Sequence, residues 1–144
     1  MDEDQIAGPI PPPGPLSANP ADDIITIIVC GSCRDATGSD ARPRPGEMLA
    51  EGARQAVDSS HIRVLQAECL GNCKRRLSAA ILKPGAWSYV FGDLTVDSGP
   101  DLVAGAALFA TSMDGILPWR GRPDCLKRGL IARIPPLPFP KDAQ

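Results

Sequence analysis

No apolar run in this chain is long enough to cross a bilayer. The two longest, around Ile24–Cys30 and Leu102–Ala110, fall well short of the roughly 20 residues a spanning helix needs. Nor is there an excess of basic residues: 15 Lys and Arg against 17 Asp and Glu leave a net charge of −2. That removes the whole-chain electrostatic case for nucleic acid. The opening Met-Asp-Glu-Asp-Gln lacks a basic segment leading into an apolar one, so no secretory signal is expected. Paired carboxylates, a nucleophile elbow and a glycine-rich phosphate loop are all missing, which leaves hydrolytic and phosphoryl chemistry without support. Histidine occurs once, as His61 at the start of a predicted strand, where a surface role is expected before metal ligation. The expectation is a cytoplasmic protein that contacts neither membrane nor nucleic acid.

What the chain does have is cysteine in an unusual arrangement. Four of its five cysteines form two close pairs, Cys30-Gly31-Ser32-Cys33 and Cys69-Leu70-Gly71-Asn72-Cys73. In a reducing compartment such clusters point to metal binding or thiol chemistry before structural disulfides. Around them, 43% hydrophobic residues over 144 positions allow one ordinary core. Residues 1–23 contain six prolines and little apolar patterning, so they are expected to be a disordered Pro-rich tail. Residues 24–115 are expected to form the domain. Residues 116–144, rich in Pro and Arg and without a clear period, are expected to pack on it as irregular chain.

Within the domain, Ile24–Val29 is β-branched and apolar on both faces, which predicts a buried central strand. Gly46–Val57 carries Met48, Leu49, Ala53, Ala56 and Val57 on one helical face. Ile62–Gln66 predicts a second strand, parallel to the first across the helix. Ala79–Leu82 and Ser88–Phe91 flank Lys83-Pro84-Gly85-Ala86, where Pro then Gly predicts a type II turn and an antiparallel hairpin. Ser98 or Gly99 caps a final helix with Pro100 and Asp101 in its first turn. The order β-α-β-β-β-α is an α/β, thioredoxin-like plan with a mixed four-stranded sheet.

Each cysteine pair follows a predicted strand. Parallel strands end at the same edge of a sheet, with neighbours about 5 Å apart, so two loops leaving that edge bring Cys30, Cys33, Cys69 and Cys73 toward one spot. Four thiolates suit a tetrahedral zinc or an iron–sulfur cluster. The stretch between Cys33 and Cys69 holds a whole crossover helix, more chain than the roughly 15–20 residues that separate the pairs of zinc ribbons, which weakens that analogy. The rival reading is dithiol exchange by Cys30 and Cys33 alone. Against it, no convincing helix starts after Cys33, and no proline stands before the third strand, where thioredoxins carry a cis-proline facing the pair.

Cys69-Leu70-Gly71-Asn72-Cys73, followed by a hairpin and a helix, resembles the second half of thioredoxin-like 2Fe-2S ferredoxins. More closely, Cys30–Cys33, Cys69–Arg75, Pro84–Leu94, Pro118–Pro123 and Gly129–Pro136 resemble the pattern of a family of small bacterial proteins described as predicted metal-binding. The resemblance covers roughly residues 24–138. It implies a ferredoxin variant of the thioredoxin-like fold, a 2Fe-2S cluster on Cys30, Cys33, Cys69 and Cys73, and electron transfer rather than enzymatic turnover. Zinc on the same four cysteines, held structurally or for delivery, is the alternative. The kinship also implies a redox partner from cobalamin biosynthesis, and thioredoxin-like ferredoxins are often homodimers. Two features depart from the pattern. The ferredoxins space their first two cysteines more widely. The metal-binding family often has Cys-Thr where this chain has Leu77-Ser78, and Cys125 replaces that cysteine only if the tail folds back to the cluster.

Lys74, Arg75 and Arg76 directly follow Cys73. Cations there stabilise an anionic cluster and suit an acidic partner. Arg120, Arg122, Lys127, Arg128 and Arg133 are candidates to extend them into one basic face. Trp87, Tyr89 and Phe91 alternate along one strand, so core packing is expected. Trp119 is expected to pack the tail down, and Asp93 to form a turn rather than act as an acid.

Overall fold

A computed structural model describes residues 24–32 and 43–136. The tail at 1–23, Cys33 and the loop to residue 42, and residues 137–144 lie outside the described residues, as does the side chain of Cys73. Among the described residues the elements follow in the order β1 (Ile25–Cys30), α1 (Pro45–Ala56), β2 (Ile62–Ala67), a 3-10 turn (Cys73–Arg75), β3 (Ala79–Leu82), β4 (Ser88–Phe91), α2 (Gly99–Ala110), α3 (Cys125–Arg128) and β5 (Leu130–Ile134).

The strands form one mixed sheet in the order β2-β1-β3-β4-β5. β1 and β2 are parallel, with Ile25 opposite Ile62 and Cys30 opposite Ala67. All later pairings are antiparallel. The β3–β4 hairpin closes where Ala86 N–H donates to Lys83 O at 3.0 Å and Gly85 takes φ 73°, the geometry that Pro84-Gly85 predicts.

α1 and α2 pack against each other and both touch β1. Between them and the sheet lies the core: Ile25, Ile27 and Val29 of β1, Leu49 and Ala53 of α1, Ile81 of β3, and Leu102, Ala106 and Phe109 of α2. Tyr89 and Phe91 stack 6.3 Å apart at 10°, and Tyr89 meets Phe109 edge-on at 5.6 Å, so the alternating aromatics do fill the core face. Thr26 and Ile28 on the other face of β1 are half-buried. The β-branched run thus makes an interior strand buried on one face rather than two. Branching at Cβ favours the strand whether or not the second face is covered.

The chain after 115 is the main correction to the sequence reading. Its described part, residues 116–136, carries the helix α3 and the strand β5 where irregular chain was expected, and β5 adds a fifth strand to the expected four. Leu126 of α3 is fully buried against Gly105 of α2, and β5 pairs with β4 from Leu130 to Ile134. A five-residue strand on the edge, with Arg133 inside it, carries too little alternation to stand out.

Candidate metal centre

β1 and β2 end together, and their chains keep pairing beyond the sheet. Gly31 N–H donates to Ala67 O at 2.8 Å and Ser32 N–H to Glu68 O at 3.2 Å. Cys30 is 2% exposed, and its thiol lies 3.9 Å from Glu68 O and 3.9 Å from Ser32 Oγ. Cys69 follows two residues after β2 and is exposed. Gly71, at φ +75°, aims its backbone N–H at Cys69 Sγ from 3.2 Å. A side chain there would resist the positive φ that points the amide at sulfur.

The second cysteine loop is then tied to the first. Asn72 Nδ2 donates to Arg75 O at 3.2 Å and to Ser78 Oγ at 2.9 Å, and Ser78 Oγ lies 3.5 Å from Asn72 O. Ser78 is fully buried, and its carbonyl accepts from Cys30 N–H at 3.0 Å. The residue before Cys73 is therefore held, through Ser78, to the backbone of Cys30. Sequence reasoning noted Ser78 only as a departure and passed over Asn72. The available signal was a hydroxyl inside the apolar run Leu77–Leu82, which had to find a buried partner.

Gly92 closes the back of this loop. A Cβ on it would stand 2.5 Å from Arg75 O and 2.6 Å from Asn72 Nδ2. Gly92→Ala is expected to cost about 2 kcal/mol in urea unfolding, because backbone and the half-buried, hydrogen-bonded Asn72 amide must both move. A loss under about 0.5 kcal/mol would mean that the loop adjusts freely.

Of the basic residues, Arg75 is paired with Asp93 at 2.7 Å, and its Nη2 reaches Arg128 O at 3.5 Å. Asp93 takes φ 56° and gives its N–H to Arg75 O at 2.7 Å, so it is a turn residue, as expected. Lys74 is exposed and Arg76 half-buried on the same loop. The single basic face does not form as envisaged. Arg122 is 7% exposed and turned inward, and Arg133 stacks over Trp87. His61 precedes β2, at the opposite end of that strand from Cys69, and is exposed. No cluster of three or more His, Cys, Asp or Glu occurs among the described residues, which include neither Cys33 nor the Cys73 thiol.

Cys125 is committed elsewhere: its thiol donates to Asp101 Oδ2 of α2 at 3.5 Å. Burial, with the Asp101 charge added, pushes this thiol up to about 11. The thiolate is the reacting form. Its alkylation by iodoacetamide should therefore keep rising through pH 10, where an ordinary thiol of pKa about 8.5 has levelled off. Mass-mapped rates against pH test this, and a plateau by pH 9 would contradict it.

The family described as "Protein of unknown function (DUF1636)" matches residues 27–136. The chain belongs to this family. The match runs from β1 to beyond β5. No curated protein matches the chain. Among solved structures, a thioredoxin-like [2Fe-2S] ferredoxin from Aquifex aeolicus superposes with a TM-score of 0.51 at 13% identity, covering 79% of this chain and 96% of that one. The DUF1636 chain thus has the thioredoxin-like ferredoxin fold. No helix among the described residues is long and apolar enough to cross a membrane.

Proposed function

We propose that this DUF1636 protein is an electron carrier in which Cys30, Cys33, Cys69 and Cys73 hold a 2Fe-2S cluster. The observation that supports it best is the tie from Cys30 through Ser78 to Asn72, which joins the two cysteine loops at one sheet edge. The donor chemistry fits. Cys30 ends β1 and Cys69 follows the neighbouring parallel strand β2, and the amide of Gly71 is already directed at the Cys69 sulfur. Such N–H···S bonds stabilise a thiolate and raise a cluster's potential.

A bound cluster would supply one-electron exchange without any bond in the chain being made or broken. The chain's own part is to fix the sulfurs, through the Asn72–Ser78 clasp, and to offset negative charge. Lys74 is exposed beside the site, and Arg75 is fixed by Asp93. These cations suit a redox partner with an acidic docking face, and the resemblance makes an enzyme of cobalamin biosynthesis a candidate. Dithiol exchange is disfavoured because Cys30, the attacking position of a C-x-x-C pair, is 2% exposed.

The test is iron, zinc and acid-labile sulfide per chain on protein purified without oxygen, with electron paramagnetic resonance after dithionite. Equal iron and sulfide with a signal on reduction is the expected result. Zinc without sulfide, even after reconstitution, would replace electron transfer with a structural or metal-delivery role.

A further inference from the structure

At the other flank of the sheet from the two cysteine pairs, the segment between α2 and α3 folds over β4 and β5 and leaves a cleft of about 560 Å³. That is within the range of small-molecule sites. Its walls are mostly apolar: Tyr89, Met113, Ile116, Trp119 and Leu130 contribute, and Met113 and Trp119 are 99% and 59% exposed. Two arginines line it, Arg122 and Arg133.

Arg122 is buried without a counter-charge among the described residues. Its Nη2 donates to Leu117 O at 2.7 Å, its Nε to Pro118 O at 3.1 Å and its Nη1 to Leu126 O at 3.4 Å. It lies 5.7 Å over the Tyr89 ring and 4.9 Å over Trp119. Three carbonyl dipoles and two π faces hold the cation in place, but none of them carries a full negative charge. Three of its five N–H groups are used, which leaves two. Arg133 sits 4.5 Å over Trp87, opposite Tyr89 in the sheet. Neither arginine has a carboxylate partner among the described residues. Asp114, the one carboxylate on the lining, is turned into its own loop, where Oδ1 accepts from Ser112 Oγ at 2.8 Å and Ile116 N–H at 3.1 Å.

Burial lowers the pKa of Arg122, and the positive charge of Arg133 works in the same direction. Two like charges sharing a cleft without a carboxylate between them are mutually unfavourable, and a bound anion relieves both. Apolar and aromatic walls are a poor environment for a bare inorganic anion, which carries tightly held water. They suit an organic anion with a flat apolar body, against which the rings and guanidinium planes can lie.

We propose that this cleft binds a small aromatic or heteroaromatic carboxylate, with the carboxylate between Arg122 and Arg133 and the ring system on the apolar wall formed with Trp119. The proposal goes beyond the electron-carrier reading, which does not involve these residues.

Naphthalene-2-carboxylate is the probe, with naphthalene-2-carboxamide as its uncharged isostere. Calorimetry on the full chain measures affinity. Because the chain has two tryptophans, Trp87 and Trp119, their indole N–H resonances report location. The expected result is saturable shifts of the Trp119 indole signal and at least about tenfold tighter binding of the carboxylate than of the carboxamide. Arg133→Gln should remove most of that preference, weakening the carboxylate far more than the carboxamide. Arg133 is used because Arg122 also holds the fold together. Equal binding of acid and amide, an unmoved Trp119 signal, a preference that survives Arg133→Gln, or displacement by inorganic phosphate at concentrations equal to the probe would each overturn the proposal.

Discussion

Replacing Cys69 or Cys73 by serine should abolish the reversible one-electron signal while leaving the fold intact. Serine substitutes a hard, protonated hydroxyl for a soft thiolate, and iron–sulfur clusters are held by thiolates. Cys69 is the cleaner position, because it is exposed and packs into no core. Its one described contact is the Gly71 N–H, which a serine oxygen can also accept. Circular dichroism and the melting temperature should therefore stay near wild type when iron and sulfide are gone. Cys30 is a poorer test, since at 2% exposure its loss would mix ligand removal with packing. Cys125→Ser is the control and should keep the full signal, because that thiol faces Asp101. An unchanged signal in both the Cys69 and Cys73 variants would sink the ligand assignment.

The second large effect is on stability. Arg122→Met should cost about 3 kcal/mol, from loss of three charge-assisted hydrogen bonds and two ring contacts. Methionine replaces the apolar stem but leaves the carbonyls of Leu117, Pro118 and Leu126 without their donor. For a chain of this size that corresponds to roughly a 10 °C fall in melting temperature. Arg122→Lys should recover little, because an ammonium cannot present the planar fork that reaches three carbonyls. Trp119→Phe keeps the fork and a ring above it and should cost under about 1 kcal/mol. A methionine variant within 1 kcal/mol of wild type would show that Arg122 does not hold this segment to the sheet.

The two expectations differ in kind. Cysteine spacing carried the first into view, since paired thiols after two strands have few chemical uses. Nothing in Pro118-Trp119-Arg120-Gly121-Arg122-Pro123 distinguishes Arg122 from Arg120, because the inward turn of one guanidinium depends on which carbonyls lie within reach. A basic face including Arg122 and Arg133 was a reasonable reading of composition. It fails because a guanidinium carries a planar, weakly hydrated head that can be buried against rings and carbonyls. The sequence also predicted Trp119 as a packing residue, whereas it lies half-open between Arg122 and Lys127, 4.9 and 5.2 Å from them.

Local chemistry determined the elements with strong signatures. The β-branched run at Ile25–Val29, the Pro84-Gly85 turn, the apolar face of α1 and the Ser98–Pro100 helix start are each set by interactions within a few residues, so they are legible in one dimension. The sequence by itself also placed both cysteine pairs after parallel strands. Tertiary structure alone decided the rest: that β5 adds to the sheet edge, that Ser78 receives Asn72 and holds Cys30, that Gly92 leaves room for that clasp, and that Arg122 turns inward beside Arg133. Each of these joins residues far apart in the chain or chooses among identical side chains, and their partners become neighbours only after the core has brought the elements together.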